Sequence, residues 1–316
     1  MGIAFCFEKS GHLIFNLILT LVIYTLNKQM KGLILAMKKK RNSIVLVLAL
    51  IIVFSGCQKQ SDIKTEIPAV TGTFDFTVLK AGQADAIFMQ TENHSIILDC
   101  GEKDDGDELV ELLQEKSISN VDYIFITHFD KDHVGGFPEV MDNVTASNII
   151  VPNYEGNNDE YEEYLKTVSD KELQITSLTE NTYFTLDDVV FEVSVPKKQS
   201  YAEGDNDFSL VISVTHGENT FLFTGDAEAD RLTEVIATFG RQYDFLKVPH
   251  HGKYNKNTKR FITTIKPTYS VICDSDKNPA EDETISILEF VKSEIYSTRN
   301  GNISVLSDGK EIKILQ

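Results

Sequence analysis

The chain is poor in cysteine, poor in basic side chains and free of repeats, and each shortage removes a class of protein. Its 316 residues hold four cysteines. None stands at a spacing that builds a zinc finger or a dithiol redox motif. Basic residues are outnumbered, 30 Lys and Arg against 48 Asp and Glu, for a formal net charge of −18. Such a surface repels polyanions, whereas a dedicated nucleic-acid-binding surface is normally basic. There is no repeat at a fixed period, no collagen-like run and no low-complexity tract. With 42% hydrophobic residues the chain can bury a sizeable core, and its length suits one large domain or two small ones.

Long apolar runs are confined to the beginning. Residues 13–26 are almost wholly apolar, and residues 44–54 form a second run preceded by Lys38-Lys39-Lys40-Arg41. The second run is short for a membrane-crossing helix. From Met37 onward the order is that of a bacterial export signal: a basic start, a short apolar segment, then Phe54-Ser55-Gly56-Cys57. Those four residues resemble a lipobox, although Leu is more usual where Phe54 stands. The resemblance implies that Cys57 carries a lipid and anchors the chain at the extracytoplasmic face of the cell membrane. Residues 1–36 allow two readings, an additional membrane segment or a translation start that belongs at Met37. The second is preferred, because two export signals in tandem serve no obvious purpose.

The expected organisation is a targeting region over 1–56, a polar tether over 57–72 containing Pro68, and a folded domain over 73–316. Removing residues 1–56 discards seven basic residues and one acidic residue, leaving 23 against 47 and a net charge of −24. Cys100 and Cys273 remain, each at the end of an apolar run. Two small buried side chains are the expectation, with a disulfide between them as the alternative.

Within the folded part, strand-like and helix-like patterns alternate. Period-two alternation marks residues 74–79 and 86–89. Apolar runs at 95–98, 123–127, 148–151, 189–195, 209–214, 220–224, 244–248 and 270–273 read as further strands. Helices are expected at 108–115, 160–171, 231–239 and 284–292, and a closing hairpin at 303–306 and 311–315. Hairpins mixed with strand–helix alternation predict an α/β protein of two packed mixed β-sheets flanked by helices.

The densest chemistry follows the apolar run at 123–126: Thr127-His128-Phe129-Asp130-Lys131-Asp132-His133-Val134-Gly135-Gly136. Two imidazoles and two carboxylates on one loop suit Zn²⁺, with Mn²⁺ or Fe²⁺ as competitors. A polar turn that happens to be rich in Asp and His is the bland alternative. Other polar clusters also stand where strands stop, at Asp99-Cys100-Gly101, Gly225-Asp226 and His250-His251-Gly252. If those ends converge, His128, Asp130, Asp132, His133, Asp226 and His250 supply six ligands for two divalent metal ions, with Asp226 able to bridge them.

In order and content these motifs resemble those of metallo-β-lactamase-superfamily hydrolases, in particular the extracellular hydrolase domain of the ComEC competence proteins, over about residues 73–315. The family's Gly-Gln-Gly-Asp-Ala stands here as Gly82-Gln83-Ala84-Asp85-Ala86, and its Leu-Ile-Asp-x-Gly as Ile97-Leu98-Asp99-Cys100-Gly101. Three more motifs match at Asn206-Asp207-Phe208-Ser209-Leu210-Val211, at Leu222-Phe223-Thr224-Gly225-Asp226 and over residues 246–252. The resemblance implies an αββα sandwich of the metallo-β-lactamase fold, with a two-metal site at the sheet edges.

The departures are specific. Asp130 replaces the second His of the family's Thr-His-x-His-x-Asp-His, a pattern similar to that of pneumococcal phosphorylcholine esterase. The extra carboxylate makes the site harder and Mn²⁺ more plausible beside Zn²⁺. Between His133 and Asp226 the only histidine is His216, read as a surface residue beside the turn at Gly217, so the family's middle His ligand has no counterpart. Lys253 and Lys256 replace serines after His-His-Gly, and Lys277-Asn278-Pro279 lies near a lost Gly-His-Pro segment.

The expected roles follow. Asp132 binds metal and orients water, and His251 protonates a leaving group or hydrogen-bonds a ligand. Asp99, Asn206 and Ser209 support the ligands or touch substrate, and Lys253 and Tyr254 rim the site for an anionic phosphodiester. The expected function is a lipid-anchored, extracytoplasmic, metal-dependent phosphodiesterase. The rivals are a single-stranded DNA nuclease, a β-lactamase or thioester hydrolase, and a catalytically idle binding lipoprotein.

Overall fold

The computed structural model describes Val70, residues 72–202 and residues 204–316. The export-type signal, Cys57 and all of the tether except Val70 and Gly72 lie outside the described residues. The first half of the domain contributes β1 (Phe74–Val78), β2 (Ala86–Gln90), β3 (Ser95–Cys100), β4 (Asn120–Phe125), β5 (Thr145–Pro152) and β6 (Ile175–Leu178). The second contributes β7 (Thr182–Leu186), β8 (Val189–Ser194), β9 (Val211–His216), β10 (Asn219–Phe223), β11 (Phe245–Lys247), β12 (Tyr269–Ile272) and β13 (Glu294–Ser297). The chain closes with β14 (Ile303–Ser307) and β15 (Ile312–Leu315).

The strands form two mixed sheets, ordered β15-β14-β1-β2-β3-β4-β5-β6 and β13-β12-β11-β10-β9-β8-β7. Both follow one plan. An antiparallel meander, β1–β2–β3 or β7–β8–β9–β10, runs on into parallel strands, β4–β5–β6 or β11–β12–β13. Short turns suffice for the meander, but parallel neighbours need a crossover. The helices Asp105–Glu115, Phe137–Asn143 and Asp159–Asp170 supply it for the first sheet. Ala229–Phe239, Thr258–Ile265 and Asp282–Phe290 do so for the second.

Three apolar layers hold the sandwich together. The middle one lies between the sheets, where the Phe76 ring packs 5.6, 5.2 and 4.9 Å from the rings of Phe221, Phe223 and Phe245. The outer two bury helices against the far face of each sheet, with Leu109, Leu113 and Val140 on one side and Leu232, Val235 and Phe261 on the other. Strands covered on both faces are buried throughout, as β3, β9 and β11 are, whereas β1 alternates. The α/β class and the two mixed sheets flanked by helices agree with expectation.

In such sheets the loops after the carboxyl ends of the parallel strands form the crevice that binds ligands. Here the end of β3 carries Asp99, and the loops carry His128–His133, Asp226 and His250–His251. Because Phe76 anchors the middle layer, Phe76→Ala is expected to destabilise the domain by about 3–5 kcal/mol in urea unfolding. A loss below about 1 kcal/mol would contradict this packing.

Candidate metal centre

The first sheet delivers two imidazoles in fixed orientation. Asp99, at the end of β3, accepts the Thr127 N–H at Oδ1 (2.7 Å) and the Thr127 hydroxyl at Oδ2 (2.7 Å). His133 Nδ1 lies 2.8 Å from the same Oδ2 and is therefore the protonated nitrogen, since a carboxylate only accepts. Thr127 Oγ1 lies 3.1 Å from His128 Nδ1; with its own proton on Asp99, it accepts from that ring. His251, from the second sheet, has Nδ1 3.1 Å from the Cys273 carbonyl, again an acceptor only. All three rings thus anchor Nδ1 on protein. Their Nε2 atoms are buried, with no main-chain or hydroxyl partner. Anchoring one ring nitrogen while presenting the other is how proteins orient metal-binding histidines.

Carboxylates face those nitrogens. Asp226 Oδ1 lies 3.3 Å from His133 Nε2, and its Oδ2 lies 2.9 Å from His251 Nε2. Asp132 Oδ2 is 3.3 Å from His251 Nε2, and Asp130 Oδ2 is 3.6 Å from His128 Nε2. Asp132, His133, Asp226 and His251 each offer one ligand atom within 4.8 Å of the others, and a second group, Asp85, Asp99 and His133, meets the same measure. The donor set of imidazole and carboxylate suits Zn²⁺ or Mn²⁺. The two groups differ in readiness. In the second, both Asp99 oxygens and His133 Nδ1 already have protein partners, so it supports the first.

Here the geometry differs from the expected division of labour between the two adjacent histidines. His251 Nε2 points into the cluster. His250 Nε2 is 3.9 Å from Asp226 Oδ2, 2.9 Å from Lys253 Nζ and 3.5 Å from Asn206 Nδ2, while its Nδ1 lies 2.5 Å from Glu228 Oε1. The cause is local. His250 and His251 both adopt left-handed backbone, with φ of 46° and 52°, and Gly252 follows at 82°. That turn aims the two adjacent rings at different partners, His251 at Asp226 and His250 at Glu228 and Lys253. Gly252 is required there, because a Cβ would sit 2.6 Å from Ala280 Cβ.

Another expectation fails outright. His216 is fully buried at the far end of β9 from Ser209, with Nδ1 2.8 Å from Ser307 Oγ and its ring against Phe74. It faces the core between the sheets because it pairs with Asn219 across the hairpin, and it cannot reach the cluster. Ser209 and Asn206 do lie at the site. The Ser209 hydroxyl accepts the Asp226 N–H (3.1 Å), donates to the Asn206 carbonyl (2.7 Å) and is 3.5 Å from His128 Nδ1. Tyr254 is exposed, and its N–H donates to Glu281. Cys100 and Cys273 are free and buried, and burial pushes both thiols up.

Two residues quoted only as parts of motifs belong here. The Lys247 ammonium is buried against Asp85 Oδ2 and lies 3.4 Å from Asp226 Oδ1. A lysine inside the apolar run Phe245-Leu246-Lys247-Val248 was the signal for it.

A cavity of about 630 Å³ opens over the cluster, lined by Asp130, Asp132, Asp226, Asn206, His250 and Lys253, and on its far wall by Gln83, Glu102 and Lys277. Burial pushes the Asp226 carboxyl up, but His251, His133 and Lys247 outweigh it and hold the group well below the usual range. His133 shows the converse: burial disfavours its charge, yet Asp226 and Asp99 raise it well above an ordinary imidazole. For His251, Asp226 and Asp132 prevail over burial and lift it to about 9. The cluster is thus an anionic cage that favours positive charge.

Two stacked mixed sheets with acidic and imidazole clusters at their strand ends define a metal-dependent hydrolase. The profile of the metallo-beta-lactamase superfamily matches residues 79–273, and the chain belongs to that superfamily. Its sequence is similar to ComE operon protein 3 of Bacillus subtilis, 24% identical over 200 residues that span 62% of this chain and 26% of that protein. It is also similar to competence protein ComA of Neisseria gonorrhoeae, 24% identical over 223 residues, 69% of this chain and 29% of that one. The chain therefore spans less than a third of the length of these distant relatives. Among solved structures, the metallo-beta-lactamase fold protein YhfI of Bacillus subtilis shares the fold at a TM-score of 0.53 and 13% identity, covering 75% of this chain and 100% of that one.

A divalent cation needs the neutral form of His251, which in the metal-free protein holds its second proton up to about pH 9. Metal affinity is therefore expected to rise with pH below that value, about tenfold per unit for each proton displaced. Competition titrations with a chromophoric chelator at about pH 6 and about pH 8 check this; equal affinities would contradict it.

Proposed function

We propose that this chain is a phosphodiesterase that uses two divalent cations, Zn²⁺ foremost with Mn²⁺ as competitor. The observation that supports this most directly is that the buried Nε2 atoms of His128, His133 and His251 face Asp130, Asp132 and Asp226, carboxylates that line a polar cavity together with Lys253 and Lys277. Asp132, His133, Asp226 and His251 would hold one cation. His128 and Asp130 would hold the other. When bound, such cations lower the pKa of water and neutralise charge on a phosphoryl oxygen.

The protein's own groups do the rest. Lys253 and Lys277 draw the phosphodiester into the cavity, and Asp132 orients the attacking water. Asp99 fixes the His133 ring. Lys253, whose ammonium donates to His250 Nε2 (2.9 Å), protonates the departing alkoxide, and His250, held at Nδ1 by Glu228, positions it; the expected proton donor was His251. The mature chain is anchored outside the cell membrane through a lipid on Cys57.

A second reading, hydrolysis of single-stranded DNA, draws on the likeness to the competence proteins and is opposed by the acidic charge.

With Zn²⁺ or Mn²⁺ added, the protein is expected to cleave bis(p-nitrophenyl) phosphate and to leave nitrocefin intact. Nucleotide release from single-stranded DNA without diester cleavage would favour the second reading, and turnover of nitrocefin alone would defeat both. Lys253→Met should lower kcat about 10²–10⁴-fold with metal content unchanged. Loss of a metal equivalent in His250→Gln would make His250 a ligand rather than a positioning residue. Separately, Cys57→Ala is expected to release the protein from cell membranes; unchanged membrane association would refute the lipid anchor.

A further inference from the structure

The phosphodiesterase reading does not use the buried ammonium that lies against Asp226. Lys247, on β11, is 1% exposed. Its ammonium reaches Asp85 Oδ2, the Gly225 carbonyl (3.2 Å) and Asp226 Oδ1 (3.4 Å). An ammonium has three N–H donors, and here each has an acceptor. Lysine is seldom buried this deeply unless paired, since taking its charge out of water is costly. A strand that needed only packing would take an aliphatic side chain.

We propose that Lys247 is a positioning residue, a protein-borne cation that fixes the rotation of the Asp226 carboxylate and neutralises Asp85, so that the cage keeps its shape before metal enters. The inference rests on the metal reading above. Asp226 Oδ1 is shared between Lys247 and His133 Nε2, which leaves Oδ2 for His251 Nε2 at 2.9 Å. Asp85 faces Lys247 with one oxygen, and its other oxygen is buried without a hydrogen bond, 3.8 Å from His251 Nδ1. Its main chain ties the arrangement to the ligand loop, donating to the Asp132 carbonyl (3.0 Å) and accepting from Gly101 (2.9 Å). The charges balance as well. Asp85, Asp99, Asp130, Asp132 and Asp226 are five carboxylates; two divalent cations match four of them, and Lys247 matches the fifth.

Lys247→Met keeps the stem and removes the charge. The metal-free variant is expected to lose at least about 5 °C more in Tm than the Zn²⁺-loaded variant does, each against wild type in the same state, because bound cations replace part of the missing charge. In the Co²⁺-loaded protein, the visible absorption of the variant should shift as Asp226 pivots. The double variant Asp85→Asn/Lys247→Met should recover the metal-free Tm, since no carboxylate is then left unpaired, while keeping the shifted Co²⁺ spectrum. It also supplies that spectrum should the single variant fail to fold. Equal Tm losses in both states together with a wild-type Co²⁺ spectrum would overturn the proposal and leave Lys247 a strut of β11. Wild-type protein that takes up no Zn²⁺ or Co²⁺ would instead sink the metal reading itself.

Discussion

Asp226 arrives from the second sheet and His133 from the first, and the 3.3 Å between Oδ1 and Nε2 joins the two sheets at their polar end. The apolar layer between the sheets cannot do this alone, because hydrophobic contact is non-directional and tolerates small slides. Buried polar groups are less forgiving, since each loses its partner if the sheets shift. Further ties run alongside. The Leu210 N–H donates to the Thr127 carbonyl (2.9 Å), and the Ser209 hydroxyl holds the Asp226 main chain. Arg231, fully buried, donates from Nε to the Ser209 carbonyl (2.9 Å) and from its terminal nitrogen to the Ser194 carbonyl (2.5 Å), locking the start of β9 to the end of β8. The network that holds the sheets in register is also the one that aims the ligands.

Three of the eight non-glycine residues with positive φ among the described residues stand at the same place. Asp99, His250 and His251 all have positive φ without being glycine. Such conformations cost of order 1–3 kcal/mol each and persist only where the surroundings over-determine them. Here they do: Asp99 is held by Thr127 and His133, and His251 by Cys273. Gly225, with φ of 50°, serves the same end, since a Cβ there would sit 2.9 Å from Thr127 Cβ and push Asp226 away from the first sheet. Both halves of the domain use one device, a left-handed turn at the end of a strand that redirects a polar side chain into the crevice.

Much of this was legible in the sequence because strands end where apolar runs end, and polar clusters stood at those ends. Asp99, the loop 127–136, Asp226 and the His-His-Gly turn were all visible in that way. Elements built on weak patterns were not. The strands β6, β7 and β13 are short edge strands with almost no fully buried residue, so no apolar run marks them. The helix Thr258–Ile265 presents only Phe261, Ile262 and Ile265 as apolar anchors within a polar stretch. Finer errors came from local geometry. The order of His250 and His251 depends on φ values that residue type does not dictate. The burial of His216 depends on a pairing across the hairpin, and the neighbouring Gly217 made the position read as surface. Lys247 stands out within an apolar run, but its partner Asp85 is far away in sequence and no local pattern joins the two.

Crystals soaked with Zn²⁺ and recorded on both sides of its absorption edge test the central claim most directly. The account predicts two anomalous peaks about 3.5–4 Å apart. One should lie within bonding distance of His133 Nε2, His251 Nε2 and Asp226, the other beside His128 Nε2. Peaks confined to the surface, or no peak near Asp226, would contradict it.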